Sequence, residues 1–150
     1  MRLRIHFEIY RSSKVSVLDI QMLGNKRKRL MATNGTCFCG EVTYQIKGAL
    51  RDAASCHCSM CRKMFSYQAS AYALIDPDKF SWLSGDDKIT TYKIQEGQGI
   101  IFCSKCGSTF GGTFNNKISW VTLGCIEGEP SVELGKHIFV GSKASWETIP

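Results

Sequence analysis

The sequence predicts an all-β fold, and three observations support that prediction. Short apolar or alternating segments recur along the chain, turn residues separate them, and no long helical period interrupts them. The candidate strands cover residues 41–46, 69–75, 80–83, 89–94, 99–103, 108–114, 118–123 and 137–140. Strands at such spacing are typical of packed antiparallel sheets.

Local patterns justify these strands in order. Residues 41–46 alternate polar and apolar side chains, and residues 69–75 end at the turn sequence Asp-Pro-Asp. The strand at 80–83 is followed by Ser-Gly-Asp-Asp, and glycine or asparagine separates most of the later strands. Residues 76–80 leave room for at most one helical turn.

Length and composition predict one domain with a small core. The chain has 150 residues, of which 43% are hydrophobic. A small core often needs a covalent or metal cross-link to be stable. Eight cysteines are many for this length, so their arrangement needs an explanation.

The basic excess is confined to one end of the chain. The net charge is +6; residues 1–30 hold eight Lys or Arg against two acidic residues, whereas residues 31–150 hold eleven of each sign. We predict a disordered basic leader over residues 1–32 and a folded domain over residues 33–150. The leader is either a targeting segment, nuclear or organellar, or an unstructured extension. The neutral body gives no charge-based reason to expect nucleic-acid binding.

The sequence also predicts a cytoplasmic protein with reduced thiols. Its first thirty residues lack a continuous apolar segment and a small-residue cleavage site, and no run approaches the roughly 18 apolar residues of a membrane span. In a reducing compartment, paired cysteines indicate metal ligands more than structural disulfides. A disulfide framework, a redox-active C-x-x-C motif and an iron–sulfur site are the alternatives, each favoured less than zinc.

Seven of the eight cysteines lie in three clusters. The clusters are Cys37 with Cys39, Cys56 with Cys58 and Cys61, and Cys103 with Cys106. Side chains at i and i+2 of an extended chain share a face, and a C-x-x-C turn brings two sulfurs together. The two pairs together offer the four thiolates of a closed zinc site, and the middle cluster offers three, which leaves a position for water or substrate. Spacing alone also allows one site made from the middle cluster and a pair, and both sites could be purely structural.

Other side chains near the clusters have two interpretations each. If the cysteines on both sides of His57 face a metal, His57 faces away and could orient a group or move a proton. Arg62 and Lys63 either hold a substrate carboxylate or point into solvent. Cys125 has no neighbouring cluster and is expected to be a small core residue. His137 belongs to the last predicted strand.

At these clusters the sequence resembles the glutathione-dependent formaldehyde-activating enzyme family, which includes centromere protein V-like proteins. The matching segments are residues 35–42, 56–63, 102–108 and 137–146. The resemblance covers about residues 33–150, and its cysteine motifs are specific in combination.

The resemblance implies a β-tent fold of packed antiparallel sheets that binds two zinc ions per chain. It assigns a structural zinc to Cys37, Cys39, Cys103 and Cys106, and a catalytic zinc to Cys56, Cys58 and Cys61. It also implies a carbon–sulfur lyase that forms or cleaves S-(hydroxymethyl)glutathione or a similar adduct of a small thiol and an aldehyde. The alternative hypothesis is a non-catalytic zinc scaffold that binds a protein or chromatin partner.

Overall fold

The computed structural model describes residues 32–149, which form ten strands and one α-helix. The strands are β1 (Thr33–Thr36), β2 (Thr43–Ile46), β3 (Arg51–Cys56), β4 (Ser70–Leu74), β5 (Phe80–Ser84), β6 (Ile89–Gln95), β7 (Gln98–Cys103), β8 (Thr109–Phe114), β9 (Lys117–Thr122) and β10 (Lys136–Ile138). Helix α1 (Ser59–Phe65) follows β3. Short 3-10 turns cover Pro77–Lys79, Asp86–Lys88, Leu123–Cys125 and Val140–Ser142.

The strands form two sheets. The smaller sheet has the order β1–β2–β5, and the larger has the order β10–β3–β4–β9–β8–β7–β6. The pairing is antiparallel except between β10 and β3, which run parallel with Lys136 opposite Ala54 and Ile138 opposite Cys56. The predicted all-β class is confirmed, and the parallel edge pair is an addition to the antiparallel arrangement that the sequence predicts.

Aromatic side chains join the two sheets. Tyr44 from β2 and Phe110 from β8 are both almost fully buried, and their ring centroids lie 6.0 Å apart. Trp82 from β5 packs edge-on against both rings. The core therefore depends on contacts between residues far apart in sequence, and it positions the loops at the strand ends.

Helix α1 is the element that the periodicity did not indicate. It has seven residues, and none of them is buried. A helix of two turns without a buried face produces no detectable 3.6-residue apolar pattern. The helical turn predicted within residues 76–80 is present as the 3-10 turn Pro77–Lys79.

The structure does not test the predicted basic leader or the predicted cytoplasmic location. The predicted basic leader lies, apart from Ala32, outside the described residues. Within residues 32–149, no helix has the length and apolar character needed to cross a membrane.

Candidate metal centres and adjoining cleft

The structure brings the two outer cysteine pairs together at one end of the core. The sulfur atoms of Cys37, Cys39, Cys103 and Cys106 all lie within 4.8 Å of one another. The Sγ atoms of Cys39 and Cys103 are 3.9 Å apart, although 64 positions separate these residues in sequence. Cys37 and Cys103 are buried, so this four-cysteine cluster is closed to solvent on its inner side.

Each pair lies on a tight turn that ends in glycine. The amide of Gly40 donates to the carbonyl of Cys37, and the amide of Gly107 donates to the carbonyl of Cys103. Gly40 and Gly107 have φ values of 77° and 78°, in the left-handed region that glycine adopts without strain. A further hydrogen bond, from the Phe38 amide to the Ser108 hydroxyl, connects the two turns directly.

The thiols of the four-cysteine cluster differ sharply in acidity. The neighbouring Cys37 sulfur and burial raise the pKa of Cys39 to about 12. Burial also raises the pKa of Cys106, but hydrogen bonds with the side chain and backbone of Ser108 outweigh this effect and lower the pKa to about 6. Four adjacent thiols in this environment do not all ionise unless a cation compensates their charge. The cluster is therefore suited to a cation.

The middle cysteines form a second, separate group. The sulfurs of Cys56, Cys58 and Cys61 lie within 4.8 Å of one another, with Cys56 buried and the other two half-buried. Cys56 ends β3, and Cys58 caps α1 by accepting a hydrogen bond from the Cys61 amide at 3.4 Å. Burial and the two neighbouring sulfurs raise the pKa of Cys61. Within the part of the chain that the structure describes, no fourth Cys, His, Asp or Glu joins this three-cysteine cluster.

His57 lies between two cysteines of this cluster and points away from it into the protein. Only 1% of its surface is exposed. Its Nδ1 atom lies 2.8 Å from a carboxylate oxygen of Glu147, and its Nε2 atom lies 2.9 Å from Nδ1 of His137. Both ring nitrogens are therefore occupied by hydrogen bonds, and neither is free to bind a metal.

A cleft adjoins the three-cysteine cluster on the side of the larger sheet. It lies between α1 and strands β6 to β9, has a volume of about 150 Å³, and includes Cys61 in its wall. Its wall also includes Met64 from α1, Ile94 from β6, Ile100 from β7 and Trp120 from β9. We call this space the helix–sheet cleft. Cys61 thus connects this cavity to the three-cysteine cluster.

Tyr72 on β4 stands beside the same cluster. Burial raises the pKa of its hydroxyl, and the nearby Cys56 and Cys61 sulfurs raise the pKa further. The ring of Tyr72 also packs edge-on against Trp120, with centroids 5.8 Å apart. Tyr72 therefore remains protonated at neutral pH and can act as a hydrogen-bond donor.

Arg62 and Lys63 lie along a different cavity. This cavity of about 410 Å³ is bounded by Tyr67 and Trp146, and no cluster cysteine lines it. Among residues 32–149, no carboxylate lies within salt-bridge distance of either cation. Their suggested role in holding a carboxylate thus stays a prediction. Cys125, half-buried beside the core, donates to the Thr109 carbonyl and joins neither cluster.

The comparisons with known proteins identify the family. The model of the glutathione-dependent formaldehyde-activating enzyme family matches residues 32–142. The chain belongs to this family. The formaldehyde-activating family resemblance seen at the cysteine motifs is thus confirmed, and membership supports a glutathione-dependent formaldehyde-activating function in general terms.

Two further comparisons complete the picture of this formaldehyde-activating family member. No curated protein gives a significant match to the sequence. Among solved structures, a crystal structure of a Rhodobacter sphaeroides protein aligns with a TM-score of 0.53 and 25% sequence identity, covering 69% of this chain and 98% of that chain. The shared fold thus extends over almost the whole of the Rhodobacter protein.

The donor set of each cluster fits zinc. A tetrahedral zinc with Zn–S distances of about 2.3 Å places its sulfurs about 3.8 Å apart. The distance of 3.9 Å between Cys39 and Cys103 meets this value, and the 3.3 Å between Cys37 and Cys39 is slightly shorter. Soft thiolate donors also favour zinc over magnesium or calcium. Either cluster could therefore hold a metal ion.

Sequence reasoning missed the residues that surround the three-cysteine cluster. Glu147, Tyr72 and Trp120 come from distant parts of the chain and carry no motif. The alternation around Cys56 gave one useful signal, because it predicts that His57 faces away from the sulfurs. His137 reaches His57 through the parallel pairing of β10 with β3, and Glu147 lies beyond the last 3-10 turn. No local pattern indicates either contact.

Proposed function

We propose that the protein is a zinc-dependent carbon–sulfur lyase that forms or cleaves S-(hydroxymethyl)glutathione or a similar thiol–aldehyde adduct in the cytoplasm. The observation that carries this proposal is a three-sulfur cluster beside an open cleft in a member of the formaldehyde-activating family. Three protein ligands are typical of zinc sites that admit a substrate.

Two zinc ions per chain are part of the proposal. Cys37, Cys39, Cys103 and Cys106 would hold a structural ion, and Cys56, Cys58 and Cys61 would hold a catalytic one. Zinc bound by the three-cysteine cluster supplies a positive charge that favours the thiolate form of a substrate and polarises a carbonyl.

The chain's own residues would position the reactants. The thiol sulfur bonds to the aldehyde carbon, the carbonyl electron pair moves to the oxygen, and that oxygen takes up the proton released by the thiol. Cleavage of the adduct reverses each of these changes. Tyr72 keeps its proton and would donate a hydrogen bond to the oxygen, while His57 fixes the loop that bears Cys56 and Cys58.

A matched pair of cysteine variants tests this proposal. Cys58→Ser is expected to lose one zinc ion and the turnover of glutathione with formaldehyde while the circular dichroism spectrum stays unchanged. Cys125→Ser, a control outside both clusters, is expected to keep both ions and full turnover. Zinc is counted by elemental analysis. Two ions in the unaltered protein without turnover of any thiol–aldehyde pair would contradict the lyase and favour the non-catalytic scaffold.

A further inference from the structure

The helix–sheet cleft has a mainly apolar lining, with no Asp, Glu, Lys, Arg or His side chain. Six apolar side chains contribute to it: Met60, Met64, Phe65, Ile94, Ile100 and Trp120. Uncharged polar groups come from Gln98 and Thr113, and Gly99 and Cys61 complete the wall. A mainly apolar surface with a few polar groups is typical of small-molecule sites.

The mouth of the cleft is also apolar. Met60 and Ile94 are exposed by 58% and 42%, although both are large hydrophobic side chains. They line the cleft together with Cys61, the cysteine that the cleft shares with the three-cysteine cluster. Clustered apolar exposure around a cavity indicates a binding surface more than scattered exposure does. An apolar group entering here would therefore come to rest beside a cluster sulfur.

The cleft is too large for the smallest aldehyde. An apolar cavity of about 150 Å³ accommodates benzene in proteins, and the helix–sheet cleft has that volume. Formaldehyde has one carbon and no apolar substituent, so it would leave most of this surface in contact with water or empty space. An aldehyde with a hydrocarbon group would cover the same surface and gain the free energy of its burial.

The two reactants differ in charge, and this difference favours the carbonyl reactant over glutathione as the occupant of the cleft. Glutathione carries two carboxylates and an ammonium group, and transferring such charges to an uncharged apolar site is unfavourable. The carbonyl reactant carries no charge. We propose that the helix–sheet cleft binds the hydrocarbon group of an aldehyde larger than formaldehyde, up to about the size of benzene; this inference rests on the proposed lyase function. The adduct is then a thiol conjugate whose new carbon bears that group, formed with the same bond changes.

Non-reactive adduct analogues test the cleft separately from catalysis. S-methylglutathione and S-hexylglutathione differ only in the group attached to sulfur, and their binding to the zinc-loaded full-length chain is measured by calorimetry. S-hexylglutathione is expected to bind at least about tenfold more tightly, because each fully buried methylene contributes about fourfold. In Ile94→Trp, a larger ring fills the mouth, and the difference should fall to about twofold or less.

A control on the same strand carries the same ring outside the cleft. Thr90 lies on β6 like Ile94, is exposed, and does not line the cleft. Thr90→Trp is therefore expected to keep the preference for S-hexylglutathione. A loss of preference in both variants would overturn the proposal, since it would show that the effect does not arise in the cleft.

Turnover of propanal, butanal, pentanal and hexanal with glutathione gives the kinetic counterpart. In the unaltered protein, kcat/KM is expected to rise by about two- to fourfold per methylene, and Ile94→Trp should flatten that rise. Turnover of formaldehyde with equal binding of both analogues would overturn the cleft assignment and leave the lyase intact. Selective binding of S-hexylglutathione, abolished by Ile94→Trp, without turnover of any aldehyde would support the cleft and contradict the lyase.

Discussion

The two cysteine clusters contain the same type of side chain but differ in how far apart their cysteines lie in the sequence. The four-cysteine cluster joins turns that lie 64 positions apart and sits against the buried core. The three-cysteine cluster draws all its sulfurs from the six residues 56–61. A metal that closes a long loop restricts the unfolded chain more than one that closes a short loop. The first arrangement therefore favours stability, and the second leaves a site whose metal could be lost without unfolding the domain.

Cysteine substitution should separate the clusters most strongly. Cys103 is fully buried, and Cys103→Ala is expected to lower the free energy of unfolding by more than about 4 kcal/mol, since loss of a metal site belongs to the most destabilising changes. Alanine avoids burying the hydroxyl that serine would introduce. For Cys58→Ala, the free energy of unfolding should change by less than about 1.5 kcal/mol. Urea unfolding followed by circular dichroism measures both, and equal losses would remove the distinction between the clusters.

Removal of the metal should distinguish the two clusters in the same way, without any mutation. During titration with a chelator, the three-cysteine cluster is expected to release its ion first, because it would hold the metal with three thiolates, two of them only half-buried. Turnover should fall to zero at that point while the circular dichroism spectrum persists. The second ion should leave only as the fold is lost. Simultaneous release of both ions would show that the clusters are not independent.

Removal of the His57 contacts should have a smaller effect, and its influence on metal binding should be confined to the three-cysteine cluster. His57→Ala leaves the buried Glu147 carboxylate without its partner, which costs about 1–3 kcal/mol of stability. It should also weaken zinc binding at the three-cysteine cluster about tenfold, since groups behind metal ligands typically change affinity by such factors. Competition with a chromogenic chelator measures the affinity. Glu147→Gln keeps a hydrogen-bonding side chain beside His57 and serves as the control for the measured zinc affinity. Equal weakening at both clusters would indicate a general structural role.

The smallest expected effect comes from the surface ion pair of Lys117 and Asp78, which serves as a reference for the cluster variants. The Lys117 hydrogen bond and charge hold the pKa of Asp78 below its usual value of 3.8. Because the folded pKa is the lower one, the pair stabilises the fold above about pH 4, and this contribution disappears as pH falls through the folded pKa. Asp78→Asn should lower Tm slightly at pH 7, and its difference from the unaltered protein should shrink as the pH falls below about 4. A changed zinc content in this variant would show that metal binding is sensitive to distant surface charge.

The sequence predicted most strands because each has its own local pattern, and it missed those that depend on packing. β3 contains Asp-Ala-Ala-Ser-Cys, whose last four residues are all buried, so the polar–apolar alternation of a half-exposed strand is absent. β1 is only four residues long and includes a glycine that faces the Tyr44 ring. The cysteine spacing allowed two groupings of the candidate metal ligands. In the structure the sulfurs gather as a group of four and a group of three, and metal binding by either group stays a prediction. Glu147 and the helix–sheet cleft arise from tertiary contacts and have no local signature.

The parallel pairing of β10 with β3 also sets the order in which the protein can be completed during synthesis. Ser55 pairs with His137, some 80 residues later in the chain. A ribosome that adds about 5–20 residues per second needs roughly 4–16 s to cover that distance. For this interval Cys56, Cys58 and Cys61 are on the growing chain, while the side chains that bind His57 do not yet exist. The nascent chain therefore carries three thiols without their supporting contacts, and cellular zinc supply and thiol oxidants compete for them before the domain closes.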